Sequence, residues 1–188
     1  PEELRAQLGD SLVAAALAVE LDRPSGESPI HPWLDLLPPA QQLPLCWPLD
    51  AIEAMLGHLG AGKRLLRLRR ELAYEYALLA PHLPTGLGEA AYVHASAYLL
   101  SRAYSIDGKL VLIPLIDMAN HNDDVPYAVE KSDGVFTPAD SLNLVLAAPR
   151  ERGAQVFSSY GAHCSSDLFQ CFGFTRRPAR RLRPAVSG

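Results

Sequence analysis

Ile113-Pro114-Leu115-Ile116-Asp117-Met118-Ala119-Asn120-His121-Asn122 is the stretch on which the reading of this chain turns. It is a short apolar run that ends in side chains able to donate and accept hydrogen bonds. Asp and Asn in such a place make turns by bonding their own backbone. The same residues suit a ligand site. His121, four residues after Asp117 and followed by Asp123 and Asp124, also allows a metal-ligand reading. Taken alone, the segment leaves all three readings open.

The chain reads differently on its two sides. Residues 1–104 are helical in pattern, apart from a Pro- and Gly-rich interruption between Arg23 and Pro48. Leu12, Ala15, Ala16 and Val19 recur at the spacing of one helix face, and Pro24-Ser25-Gly26 stops that helix. Around His31-Pro32-Trp33-Leu34 and Leu37-Pro38-Pro39 the chain is expected to be extended or turned, because proline biases its predecessor away from helix. Asp50 is the expected N-cap of a short helix through Leu56. A longer helix is expected from Lys63 to about Leu79, with Leu65, Leu68, Leu72 and Tyr76 inward and Arg67, Arg70, Glu71 and Glu75 facing water. A further one runs from Gly88 to Arg102, ended by a turn at Asp107-Gly108.

Past Lys109 the pattern is that of strands: Leu110–Leu115, Leu142–Leu146 and Gln155–Ser158. Asp133-Gly134 predicts a hairpin turn between Tyr127–Glu130 and Val135–Thr137. A last helix is expected from about Ser165 to Cys171. There is no internal repeat or low-complexity segment. The class is therefore α+β, helices first and strands second.

Composition bounds the rest. With 48% hydrophobic and 20% charged residues over 188 positions, the chain has a globular balance. No apolar run approaches the roughly 18 residues of a membrane span, so a soluble protein without membrane contact is expected. The net charge of −4 hides an asymmetry. Arg176, Arg177, Arg180, Arg181 and Arg183 crowd the C-terminal end, and a solvated basic tail is the expected reading rather than a nucleic-acid contact. Cys46, Cys164 and Cys171 form no C-x-x-C pair, which argues against a disulfide framework or a zinc site and favours a reducing intracellular compartment. The first residue, Pro1, reads as the start of a fragment or a processed chain.

A second segment lies downstream: Gly153-Ala154-Gln155-Val156-Phe157-Ser158-Ser159-Tyr160-Gly161, then Asp167 to Phe174. Alone it is a strand, a Tyr-Gly turn and an aromatic helix end, with a buried Tyr whose hydroxyl finds a backbone carbonyl. Together the two segments resemble the SET domain, in the subfamily typified by the Rubisco large-subunit lysine methyltransferase. The matches are Asp117-Met118, Asn120-His121, Gly153, Gln155-Val156-Phe157, Tyr160-Gly161 and Gly173-Phe174. Upstream, Ser101-Arg102-Ala103-Tyr104, Pro44-Leu45-Cys46-Trp47 and Leu36-Leu37-Pro38 match further elements of that family.

The resemblance implies a partial SET β-fold with short strands and a pseudoknot-type C-terminal segment. Residues 1–104 would be a helical insertion, 105–175 the C-terminal half of the SET core, and 176–188 a basic tail or the start of a further domain. It implies S-adenosylmethionine as cofactor and transfer of a methyl group to a protein lysine by a monomer. Asp117, Met118, Asn120 and His121 would hold the cofactor. The Asn120 side chain would take its amino-acid end and the His121 backbone its adenine. Arg102 would pair with the cofactor carboxylate, and Phe172 and Phe174 would wall the adenine. Tyr160 would be catalytic, orienting amine and methyl without acting as a base. Tyr104 would wall the lysine channel, where the actin-histidine branch has Asn.

The family's Gly-x-Gly strand is not in the chain, Cys164-Ser165 stands for its S-N pair, and Phe172 for the first aromatic of Y-G-F. Three alternatives follow: a SET-derived binding module without catalysis, a protein-histidine methyltransferase of the same family, or a metal hydrolase using Asp117, His121 and Asp124. Ser158, Ser159 and His163 invite a nucleophile reading, but no orienting acid stands at a known spacing. No metal is expected.

Overall fold

The computed structural model describes residues 9–126, 129–132, 134–135, 138, 141–146 and 148–176. Its helices are α1 (Ser11–Asp22), α2 (His31–Leu34), α3 (Leu49–Leu56), α4 (Gly60–Leu79), α5 (Glu89–Arg102) and α6 (Ser165–Phe172). Between α5 and α6 lie strands β1 (Tyr104–Ile106), β2 (Lys109–Val111), β3 (Asn120–His121), β4 (Val129–Lys131), β5 (Leu142–Leu144) and β6 (Phe157–Ser158). The α+β order expected from the sequence is present.

Helix α5 is the centre. Tyr92, Val93, Ala95, Ser96, Ala97, Tyr98 and Leu99 are all buried, so this helix is covered on nearly every side. Ala-rich α1 lies against it through Ala14, Ala15, Leu17 and Ala18. The small side chains there permit a close approach. The expected α1 face was offset: Ala16 is exposed, and Ala14, Leu17 and Ala18 are inside. The run from Val13 to Val19 is apolar on every side, so periodicity had little contrast to use.

Other boundaries shift for local reasons. His31–Leu34 is one helical turn rather than extended chain, because Pro32 sits in the first turn, where its missing N–H costs nothing. Helix α3 begins at Leu49 with Pro48 as N-cap, and Asp50 lies within the first turn. In α4 Leu65 and Leu72 are buried as expected. Glu75, however, does not simply face water. It accepts hydrogen bonds from the hydroxyls of Ser11 and Tyr92, both at 2.8 Å, tying α4 to α1 and α5.

The strands are short and paired two by two. A strand at Tyr104–Ile106 not expected from the sequence pairs antiparallel with β2, Tyr104 opposite Val111. Its turn, Asp107-Gly108, has φ of 51° and 72°, the left-handed pair that a tight hairpin needs. β4 pairs antiparallel with β5, Val129 opposite Leu144. Tyr127, Ala128, Asp133, Phe136 and Thr137 of the expected hairpin lie outside the described residues. The third pair is the one that builds the site. β3 runs parallel to β6, with Asn120 opposite Phe157 and His121 opposite Ser158.

Candidate functional site

Parallel pairing of β3 with β6 carries the chain after Ser158 back across the turn Ile116–Met118. Ser158, fully buried, accepts from the Asn122 N–H at 3.2 Å through its carbonyl. Tyr160 follows directly. Its N–H donates to His121 Nδ1 at 3.2 Å, and its hydroxyl donates to the Ala119 carbonyl at 2.9 Å. The imidazole of His121, with 6% of its side chain exposed, also meets Asp123 Oδ1 at 3.1 Å through Nε2. So His121 is a bracket between the two segments rather than a free side chain.

Aromatic rings close around Tyr160. The rings of Phe172 and His121 lie 4.6 Å and 5.1 Å from it, and Phe174 lies 6.5 Å away. Helix α6 delivers Phe172. Arg64 of α4 holds that helix by donating to Gln170 Oε1 at 3.0 Å and Ser166 Oγ at 2.7 Å. The helix ends at Gly173, whose φ is 79° and whose added Cβ would lie 2.4 Å from the Gln42 carbonyl. Only glycine meets both conditions.

Arg102, the last residue of α5, faces the turn. Its Nη1 donates to the Asp117 carbonyl at 3.1 Å and to Asp117 Oδ2 at 3.2 Å, and lies 3.8 Å from the Met118 sulfur. Its Nε is buried with no partner. Asp117 has a fully buried side chain, and the indole N–H of Trp33 donates to both its oxygens at 3.1 Å. Burial pushes the Asp117 carboxyl above the ordinary range, while Arg102 and the Trp33 N–H oppose that rise. Trp33 had carried no role in the sequence reading, and nothing in its neighbours marked it as a partner of residue 117.

These residues border a cleft of about 390 Å³. Arg102, Tyr104, Asp117, Tyr160 and Phe172 line it. Met118, Asn120, His121 and Phe174 do not: Met118 is half-buried beside Arg102, Asn120 is exposed on β3, and His121 and Phe174 pack around Tyr160. His163 also lines the cleft, its Nε2 2.9 Å from the Tyr160 carbonyl. No motif had marked it. Tyr104 is buried, and its hydroxyl donates to the Ile116 carbonyl at 3.3 Å. Leu115, just before the turn, has φ of 72° and is 72% exposed, an uncommon conformation for a bulky residue.

Burial, followed by the charge of Asp117, pushes the Tyr160 hydroxyl above its ordinary range, and Arg102 opposes this. The hydroxyl therefore stays protonated at neutral pH and acts as a donor. Asp117 and His121 are committed to different partners. Among the described residues no group of three His, Cys, Asp or Glu side chains is placed to hold a metal. Arg176, the first residue of the basic end, pairs with Asp123 at 2.7 Å.

No protein-family model matches the chain, and no curated protein matches its sequence. Solved structures do match, and they define the class: the chain has the SET-domain fold. One is the SET domain of LSMT with lysine and AdoHcy bound, at TM-score 0.73 and 21% identity, covering 93% of this chain and 43% of that one. Others are Rubisco LSMT bound to AdoMet (0.68, 20%, 93% and 42%) and to sinefungin and monomethyllysine (0.66, 21%, 92% and 41%). The chain thus spans less than half the length of these solved chains.

Proposed function

We propose that the protein is an S-adenosylmethionine-dependent protein-lysine N-methyltransferase of the SET type, and that the cleft beside Tyr160 is where donor and acceptor meet. The observation that carries this reading is the convergence of Arg102, Tyr104, Tyr160 and Phe172 on one cleft, produced by the parallel β3–β6 pair. The AdoMet, AdoHcy, lysine and methyllysine held by the solved neighbours support the choice of cofactor and acceptor.

The residues present fit such a cofactor. The unpartnered Nε of Arg102 is a donor left over for a carboxylate, even with Asp117 on the same guanidinium. The cleft volume of about 390 Å³ falls within the usual range of small-molecule sites. Phe172 offers aromatic surface, and Asn120 and Phe174, both exposed, leave their side chains available to a ligand that reaches past the cleft. Met118, Asn120 and the His121 backbone are assigned to the cofactor's amino-acid and adenine ends on the same reading. When bound, the cofactor supplies an electrophilic methyl group on sulfur.

The chain's own part is alignment and desolvation. An acceptor lysine, with an ordinary pKa of about 10.4, must lose its proton first. The apolar walls at Ala103, Tyr104 and Phe172 and the cation of Arg102 both disfavour its ammonium form. Tyr160, locked by Ala119 and His121, then orients the amine, where positioning contributes more than acid–base chemistry. A buried Tyr104 at the channel wall favours lysine over histidine as acceptor. Three unpaired thiols favour a reducing compartment, and the division at residues 104 and 175 into insertion, core and tail is retained with the function.

The test is methyl transfer from labelled S-adenosylmethionine to protein lysine by the full-length protein. Tyr160→Phe is expected to cut the rate on the order of 10²-fold, the scale of a small misplacement of reacting groups. An unchanged rate removes Tyr160 from the mechanism. A binding module without catalysis is the second reading, favoured by one observation: the Tyr160 hydroxyl is already satisfied by Ala119.

A further inference from the structure

Helices α4 and α5 and the segment leading into α3 border a second cavity of about 270 Å³, open to solvent on one side, which shares no lining residue with the cleft. Arg69, His94, Cys46, Trp47, Pro48 and Val93 are on its walls. Arg69 is anchored there: its Nη1 donates to the Leu45 carbonyl at 3.0 Å and to the Trp47 carbonyl at 3.3 Å. Carbonyls satisfy hydrogen bonds but carry no net charge. Among the described residues no carboxylate pairs with this guanidinium.

Two further nitrogens at the cavity are buried with no partner: Arg69 Nε and His94 Nε2. The His94 ring packs on Tyr98 with centroids 4.5 Å apart, which fixes it in place. Burial holds its pKa below the ordinary value, so the ring is neutral at pH 7 and offers one N–H when the proton sits on Nε2. Burial also keeps Cys46 a neutral thiol, its pKa pushed up to about 11, so it adds no negative charge of its own. Water would satisfy the two donors but would leave the cation without a counter-charge. Arg69 and His94 are half-buried, so the cost falls on these two unpaired N–H groups, and the oxygens of one carboxylate would satisfy both while meeting the charge of Arg69.

We propose that this cavity binds a small organic anion, a monocarboxylate with an apolar or aromatic body. Its head lies between Arg69 and His94, and its body lies against Trp47, Pro48, Val93 and Ala90. The inference does not rest on the methyltransferase reading.

Benzoate and indole-3-acetate titrated into the protein, followed by the His94 ring resonances, test it, with acetate and inorganic phosphate as bodiless controls. A saturable shift is expected for the two aromatic acids, at least tenfold tighter than for either control. Arg69→Gln is expected to weaken binding at least tenfold. Because Arg69 also anchors two carbonyls, Ala90→Trp at an exposed position is the second variant. It is expected to fill the cavity mouth, weaken binding by a similar factor and leave thermal unfolding unchanged. No saturable shift, equal affinity for the controls, or undiminished binding in Ala90→Trp overturns the proposal. S-adenosylhomocysteine binding in both variants, expected at the wild-type level, separates this site from the cleft.

Discussion

At Asp117 one carboxylate serves two helices and the turn between them. Its side chain is fully buried, and its oxygens are held by an indole N–H from α2 and a guanidinium from the end of α5. Trp33→Phe removes that N–H while keeping an aromatic ring. The expected cost is about 1.5–3 kcal/mol, the range for a hydrogen bond to a charged group, read by urea denaturation. Tyr160 gives a prediction in pH. Its folded pKa lies above the ordinary 10.0, so its contribution to stability is fully present below that value and is lost as pH rises through the raised one. Stability measured between neutral and strongly alkaline pH is therefore expected to fall, and to fall less in Tyr160→Phe. An identical fall in both proteins would show that this hydroxyl does not gain its proton affinity from the fold. The residues that the sequence named and the structure brings to the cleft were those set in a motif: Arg102, Tyr104, Asp117, Tyr160 and Phe172. Trp33 and His163 were not legible, because a contact across 84 positions leaves no local pattern, and His163 belongs to no spacing that chemistry requires.

Helix α6 shows how an element is placed by its ends. Arg64 fixes its first turns, Trp47 packs edge-on to Phe169 with centroids 5.9 Å apart, and Gly173 ends it against the Gln42 carbonyl. Gly173→Ala combines a left-handed φ with a Cβ 2.4 Å from backbone. The expected destabilisation is about 2 kcal/mol or more, typical of strain that backbone must absorb, with reduced affinity for the proposed cofactor because Phe172 and Phe174 flank the residue. Wild-type stability in that variant would contradict the close approach. The long amphipathic α4 was readable from its apolar period. Two of the short strands were not: β1 has three residues and β3 two, too few for alternation to register.

Across the whole molecule, one apolar core built on α5 reaches from α1 to Met118, and the site hangs from its edge through Arg102 and Tyr104. The SET-domain architecture was legible because two separated motifs, around Asp117 and Tyr160, made sense only if they met. The parallel β3–β6 pair is that meeting. What spacing could not supply is the internal economy of the site, in which Tyr160 already bonds Ala119 and Asp117 already neutralises much of Arg102. The measurement that tests the central claim most directly is calorimetric titration of the full-length protein with S-adenosylhomocysteine. A single saturable site is expected, weakened at least about tenfold, or 1.4 kcal/mol, by Arg102→Gln. No detectable binding to the folded protein would contradict the account and leave the cleft as part of a binding module.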